Sequence, residues 1–426
     1  MKESIREFCD FLDASRSFYH VAANVTHILQ KQGYVRLQEN QPWELRAGGK
    51  YFVDRNGSSV LAFRIPEGTP HGFLMSACHC DRPSFMVKEN GELTGTYTRL
   101  TTERYGGMLI YPWLDRPLSV AGRVLVETEE GVAYRLVDID RDIAMIPSVA
   151  IHQNRTVNEG YVFNPAVDTV ALLGSGNVAG ELSRMLEKAA GGKILSNDLY
   201  LYVRQQARVW AIAKEYISAP ALDDLQCLWG CLQGFMKGDG SENICVLSIF
   251  DSEEVGSNST QGADGTLLSG VLARISRTLG LDHDCMLADS FMVSADNAHA
   301  IHPNHPHLSD TDHPVTMNGG VVIKFSGTQN YTSDGLSAAV FRKICAEAQV
   351  PTQTFYNRAD MKGGATLGHF SLNHVSVPSV DIGLAQLAMH SSYETAGVED
   401  VEYLVKAMTA YYSKTLTAAD QGYTIK

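Results

Sequence analysis

Ile244-Cys-Val-Leu-Ser-Ile-Phe250, followed at once by Asp251-Ser-Glu-Glu-Val-Gly256, is the stretch on which the fold turns. Its apolar run has no polar alternation and reads as a buried strand, and after Ala219-Pro220 such runs alternate with longer helical patterns, as in an α/β sheet. The opening of the chain has the same character. Phe18, Val21, Val25, Ile28 and Leu29 recur at helical spacing with Gly33 as a C-terminal stop, and Val60–Phe63 and Phe73–Ala77 read as strands. From about residue 87 to 215 the pattern changes to Val-, Leu- and Tyr-rich runs with turns at Asn90-Gly91 and Glu130-Gly131 and one helical stretch near Glu181 to Ala190. The economical reading is one α/β domain, residues 1–86 and 216–426, split by a β-rich insert over 87–215. Val401, Leu404, Val405, Met408 and Leu416 predict a closing helix.

Among 426 residues, 44% are hydrophobic, and the formal net charge is −13. That sign disfavours nucleic acid and anionic membrane surfaces as partners. The first residues, Met-Lys-Glu-Ser-Ile-Arg-Glu-Phe, alternate charges rather than building an export signal, and no apolar run approaches the ~18 residues that span a bilayer. Eight cysteines in so long a chain predict free thiols in a reducing compartment, the cytoplasm.

Chemistry-bearing residues gather at the ends of the apolar runs. Cys78-His79-Cys80-Asp81 follows the run ending at Ala77, where α/β proteins open their ligand crevice, and Asp81 can orient the His79 imidazole. An isolated strand-end His is more often satisfied by backbone, and two cysteines flanking it on a strand point to opposite faces, which argues against a structural zinc site there. Asp251, Glu253 and Glu254 repel one another, so a fold that concentrates them either leaves them in a solvated turn or offsets them with a cation. Asp223-Asp224, Asp296 and His390 likewise sit beside buried-looking segments, and a mixed His/carboxylate set suits zinc, manganese or cobalt.

Competing motifs are weaker. Asp168 to Ala179 matches a dinucleotide fingerprint on paper, yet Asp198 precedes the next apolar run instead of ending it. Gly363 to Gly368 lacks the Lys-Ser/Thr ending of a phosphate loop and supports only a tight turn near a substrate. There is no Gly-x-Ser-x-Gly elbow, His-Glu-x-x-His helix or Cys-x-x-Cys pair.

Several segments in one order carry a resemblance: His79-Cys-Asp-Arg-Pro83, Glu103-Arg-Tyr-Gly-Gly107, Trp113-Leu-Asp-Arg-Pro117, Ile146 to His152, Ala221-Leu-Asp-Asp224, Asp251 to Ser257, Ser294 to His299 with His302-Pro-Asn304, and Gln386 to Ser391. The sequence resembles the aspartyl aminopeptidase family, metallopeptidase family eighteen, and is most similar to its bacterial members. The resemblance implies a three-layer αβα metallo-aminopeptidase domain with an inserted β-rich dimerisation domain, assembled from dimers into a tetrahedral homododecamer. It implies two divalent ions, zinc or alternatively manganese or cobalt, bridged by Asp223. His79 and Asp296 complete one ion and Glu254 and His390 the other. Glu253 is the implied general base and Asp81 the group that orients His79. His299, Lys324 and Tyr331 match substrate-contacting positions, and His152 matches a histidine presented to a neighbouring subunit's site. Ala365 stands where the family usually carries Ser or Thr. The implied activity is release of N-terminal residues, Asp or Glu by preference, from peptides by two-metal-activated water attack. Two other readings stay open: a related two-metal amidohydrolase acting on acylated amino acids, and a non-catalytic assembly or cargo protein.

Overall fold

Ile244–Phe250 is a strand buried along its whole length, near the middle of a nine-stranded sheet. It pairs antiparallel with Ser59–Arg64 and parallel with Phe73–His79. Beyond Phe73–His79 the sheet continues through Phe291–Ala295, Ser379–Gly383, Val321–Phe325 and Thr352–Tyr356. The computed structural model describes every residue except 177 and 362.

The absence of alternation in that strand has a direct cause, because each face meets its own helical layer. Cys245, Leu247 and Ile249 join a core built with the helices Glu3–Ala14, Phe18–Lys31, Leu222–Lys237, Gly335–Glu347 and Val398–Tyr411. Ile244, Val246 and Phe250 join a second core with Leu267–Leu279 and His283–Ala288. Period-two side chains facing apolar layers on both sides are what an αβα sandwich requires.

Residues 84–203 contribute a separate six-stranded antiparallel sheet, in the order Gly131–Asp138, Leu118–Thr128, Ile194–Val203, Ser84–Leu93, Tyr97–Tyr105, Ala171–Ser175. Phe85, Val120 and Leu201 pack there against Leu182 and Leu186 of the helix Glu181–Ala190. A third sheet pairs Arg208–Trp210 with Tyr216–Ala219 and runs on through Glu394–Gly397, Ala385–Leu387 and Ala298–His299, so the expected boundary at 215/216 falls between two paired strands.

Three local expectations are corrected. Glu3–Ala14 is a helix that precedes Phe18–Lys31, with Ile5, Phe8 and Leu12 buried. The closing helix ends at Tyr411, and Leu416 starts a C-terminal hairpin strand because Asn243 accepts its N–H (2.8 Å) and donates to its carbonyl (2.9 Å). Asn90-Gly91 is no hairpin turn but a kink inside Ser84–Leu93, where the pairing register slips between Val87 and Glu92. The glycine turn after Ala171–Ser175 leaves an edge strand of the antiparallel sheet, so it faces no parallel-sheet crevice; its Asn177 lies outside the described residues.

Helices Leu222–Lys237 and Val398–Tyr411 meet closely through glycine. A Cβ at Gly234 would come within 2.3 Å of the Met408 Cβ and 2.7 Å of its backbone carbon, whereas one at Gly270, on the exposed side of Leu267–Leu279, would meet nothing within 4 Å. Gly234→Ala is therefore expected to destabilise the protein by about 1–3 kcal/mol through overpacking. Gly270→Ala is expected to stabilise it by up to about 1 kcal/mol through helix propensity. Chemical denaturation of the two variants side by side checks the contrast, and equal effects would refute the close-packing account.

Candidate metal centre

Strand register assembles the centre. Phe250 lies beside His79 and Ala77 beside Ser294 in parallel pairs, so three neighbouring strands end at the same level. Their C-terminal ends deliver His79, the Asp251–Glu254 turn and Asp296 to one crevice, the usual ligand position in an open α/β sheet. Asp223 arrives separately, at the start of Leu222–Lys237 just after Ala221 in the left-handed region (φ 58), and its peptide to Asp224 is cis. His390, also left-handed (φ 66), follows Ala385–Leu387.

Asp223 stands between the two imidazoles. His79 Nε2 is 3.4 Å from Asp223 Oδ1 and 3.8 Å from Asp296 Oδ1. His390 Nε2 is 3.5 Å from Asp223 Oδ2 and 3.3 Å from Glu254 Oε2. Two groups of convergent ligand atoms result, His79 with Asp223, Asp224 and Asp296, and Asp223 with Glu254 and His390; within each group the atoms lie within 4.8 Å of one another. Because Asp223 belongs to both, with a different oxygen toward each histidine, its carboxylate is placed to be shared.

The donor set fits cations on electrostatic grounds. Asp223 Oδ1, Asp224 Oδ1 and Glu254 Oε1 are buried without a hydrogen-bond partner, an arrangement too costly to leave uncompensated. Burial, with Asp223 and Glu253 adding repulsion, pushes the Glu254 carboxyl well up. Burial also disfavours the His390 imidazolium, yet Asp223 and Glu394 outweigh it and raise that group to about 9. Such a site draws positive charge, whether as protons on its histidines or as divalent metal, and carboxylate and imidazole are ordinary ligands for a borderline cation.

Buried carboxylates also fix the backbones that carry these ligands. Asp81 accepts the amides of Glu253 and Glu254 (both 3.1 Å) and the Tyr105 hydroxyl (2.7 Å). His79 Nδ1 faces the Asp81 backbone carbonyl at 3.2 Å and its carboxylate at 3.5 Å, so Asp81 touches both the ring and the acidic turn. Asp224 Oδ2 accepts the His79 amide (3.1 Å). Glu394, absent from the sequence-predicted set, accepts the amides of Asp223 (3.0 Å) and His390 (2.7 Å). Tyr105, inside the motif Glu103 to Gly107, is a further residue of the centre outside the sequence-predicted set. Nothing in the spacing of Glu394 announces a role, since its partners are backbone groups that only the fold brings near.

A cavity of about 290 Å³ opens over the cluster, and Glu253, His299, Lys324, Tyr331 and Ala365 line it with His79, Asp223, Asp296 and His390. Burial pushes the Glu253 carboxyl up to about 8, with Asp296, Asp81 and Asp223 adding to the effect against His79. Lys324 is buried, donates to the carbonyls of Asp296 (2.8 Å) and Asn297 (3.3 Å), and lies over the Tyr331 ring at 5.2 Å. His152 does not join this group; it is exposed in the segment after Ile146.

Comparison with known proteins places this centre in a family. A family model described as "Aminopeptidase I zinc metalloprotease (M18)" matches residues 11–412. The chain is 38% identical over 432 residues to "Probable M18 family aminopeptidase 2" of Clostridium novyi, covering 97% of this chain and 100% of that protein. A Pseudomonas paraeruginosa protein of the same name is 39% identical over 418 residues, with 95% and 97% covered. Among solved structures, the chain of the "Ape4 and Nbr1 complex" superposes with a TM-score of 0.92 at 32% identity, covering 96% of this chain and 85% of that one. The S. cerevisiae mApe1 dodecamer gives 0.85 at 25% identity, with 96% of each covered. Fold and family together define a metallo-aminopeptidase. The chain belongs to the M18 aminopeptidases, a zinc metalloprotease family.

Glu394→Ala removes one acceptor for two ligand-bearing amides. It is expected to weaken metal binding by about 10–100-fold, read by competition with a chromophoric chelator. Unchanged affinity in a folded variant would show that the two turns hold themselves.

Proposed function

We propose that this aminopeptidase removes N-terminal Asp or Glu from peptides, with Glu253 as general base at a two-ion zinc centre; manganese or cobalt are the alternative metals. The observation that carries the reading is the shared position of Asp223 between the His79 and His390 groups, with Glu253 beside them on the cavity wall. His79, Asp223 and Asp296 would hold one ion, and Asp223, Glu254 and His390 the other. Bound divalent metal supplies Lewis acidity toward the scissile carbonyl and toward the attacking water.

This chain's residues do the rest. Glu253 takes the proton from the attacking water and returns it to the departing amine, a task suited to a carboxyl whose burial moves its pKa toward neutrality. Asp81 holds the amides of Glu253 and Glu254, which keeps the base and its ligand neighbour on divergent paths although they are adjacent in sequence. Lys324 uses two of its three N–H donors on carbonyls and lies 3.9 Å from the Asp296 carboxylate, which a bound metal ion would draw away from it so that the third donor meets an acidic side chain, with His299 and Tyr331 completing the wall.

Assembly follows the same reading. The six-stranded sheet of residues 84–203 serves as the dimerisation module, and its exposed segment carries His152 to a neighbour's cavity within a tetrahedral dodecamer. Val149, Ile151 and Val162 are exposed apolar residues on that segment, which supports burial against another subunit. No described helix is long and apolar enough to cross a membrane, and the cysteines are unpaired thiols, in keeping with a cytoplasmic enzyme.

Glu253→Gln is expected to lower kcat by at least about 100-fold, the low end of a general base's contribution, with metal content unchanged by elemental analysis. Retained turnover would reject the base. A panel of aminoacyl substrates on enzyme reconstituted separately with zinc, manganese and cobalt is expected to favour Asp and Glu, and Lys324→Ala to erase the preference; an acidic preference that survives the substitution rejects the pocket assignment. His152→Ala is expected to lower kcat/KM while light scattering still reports the full oligomer, and unchanged kinetics would remove His152 from the site.

A further inference from the structure

Asp381 is a fully buried acid in the middle of the strand Ser379–Gly383, and it is not among the groups that form the metal centre. It lies beside Ser294 in the parallel pairing with Phe291–Ala295. Its neighbours Val380 and Ile382 turn into the apolar core built with Leu222–Lys237 and Val398–Tyr411, so the Asp381 side chain leaves the sheet on the other face. A carboxylate in that position is costly unless donors reach it, and it forms no ion pair among the described residues.

Its donors come from two loops. Oδ2 accepts the Thr332 amide and the Thr332 hydroxyl (2.9 Å), and Oδ1 accepts the Thr366 hydroxyl (2.8 Å). The Asp381 backbone is tied to the first loop as well, since its amide donates to the Ser333 hydroxyl (2.8 Å), which donates to the Asp381 carbonyl (3.3 Å). The loops also meet each other. The Thr366 amide donates to the Asn330 carbonyl (3.4 Å), and the Asn357 side-chain amide donates to the Tyr331 hydroxyl (3.3 Å).

Both loops form wall of the cavity over the metal centre. Tyr331, next to Thr332, lines it from one loop, and Gly364, Ala365 and Thr366 line it from the other, whereas Asp381 stands behind them. Gly368 shows how closely the second loop is drawn to the sheet: a Cβ there would lie 2.6 Å from Ser294 Oγ and 3.2 Å from Asp381 Oδ1. Hydrogen bonds to one ionised acceptor on a central strand therefore fix the glycine-rich turn relative to Tyr331.

We propose that Asp381 is a positioning residue for substrate binding, which sets the width of the cavity by clamping the Tyr331 and Gly364–Thr366 loops to the central sheet without touching the substrate. The inference rests on the reading of this cavity as the place of the substrate's N-terminal residue. Glu253 and the ligand residues hang on other carboxylates, those of Asp81, Asp224 and Glu394, so loosening the clamp weakens binding and spares the chemical step.

The test is steady-state kinetics on the metal-loaded, full-length enzyme. Asp381→Asn keeps the shape and one acceptor oxygen, and is expected to raise KM about tenfold, the worth of one charge-assisted hydrogen bond, with kcat nearly unchanged and metal content the same by elemental analysis. A merely structural loss lowers the fraction of folded enzyme, and with it kcat, and leaves KM where it was. Thr332→Val and Thr366→Val each remove one hydroxyl and are expected to raise KM about threefold, as for an ordinary hydrogen bond. Asp381→Asn combined with Thr366→Val is expected to fall short of the product of the single effects, because both act on one contact. An unchanged KM in Asp381→Asn overturns the proposal, as does a double variant whose effects multiply; should Asp381→Asn fail to fold, an unchanged KM in both threonine variants overturns it. The kinetics use the aminoacyl substrate that the unsubstituted enzyme turns over fastest, so that a neutral preference counts against the acidic specificity alone and the KM comparison still decides the role of Asp381.

Discussion

The carboxylate of Asp81, held against the amides of Glu253 and Glu254, is the contact on which the metal centre depends. A strand that ends in Phe250 does not by itself decide where the next acidic residues point. Ser252 enters the left-handed region (φ 69), a short 3₁₀ turn covers Glu253–Val255, and the amides of that turn meet a buried negative charge arriving from the neighbouring strand. Two hydrogen bonds to an ionised acceptor are worth more than ordinary ones, about 1.5–3 kcal/mol each. The bonds fix both the turn and the spacing between two parallel strand ends, so the direction of two adjacent glutamates becomes a property of the sheet.

Glu394 and Asp224 repeat the device. In each case a buried carboxylate binds the main chain of a ligand residue rather than its side chain. Backbone amides survive every substitution except that by proline, and they move only with the whole segment. Anchoring the ligands this way transfers positional accuracy from flexible side chains to the sheet and its connecting turns, which is how a centre of several mutually repelling acids keeps its geometry.

Much of this was legible in the sequence because it lies in local pattern. The run Ile244–Phe250 reads as buried on both faces, and it is; the helix Glu181–Ala190 falls where its periodicity puts it. The acids and histidines clustered at run ends because strand C-termini are where an α/β sheet opens. What stayed hidden depends on long-range pairing. Leu416 fits a helical period yet is drawn into a hairpin by Asn243, a residue far upstream. Glu394 looks like any acid in a polar loop until the fold sets it opposite Ala219 on a paired strand and within reach of two amides.

The two sheets are less separable than their strand orders suggest. Tyr105, at the end of a strand in the antiparallel sheet, bonds Asp81; Leu109 donates to the His390 carbonyl (3.1 Å), and Ser392 donates to that of Pro112 (2.7 Å). The inserted segment is therefore part of the scaffold beneath the reacting groups as well as a module appended to it. Anyone trimming the chain to a minimal catalyst by excising residues 84–203 would remove a hydroxyl from the Asp81 carboxylate and two supports from the His390 loop. For the same reason, strain placed on the outer sheet by a neighbouring molecule has a covalent and hydrogen-bonded path into the metal centre.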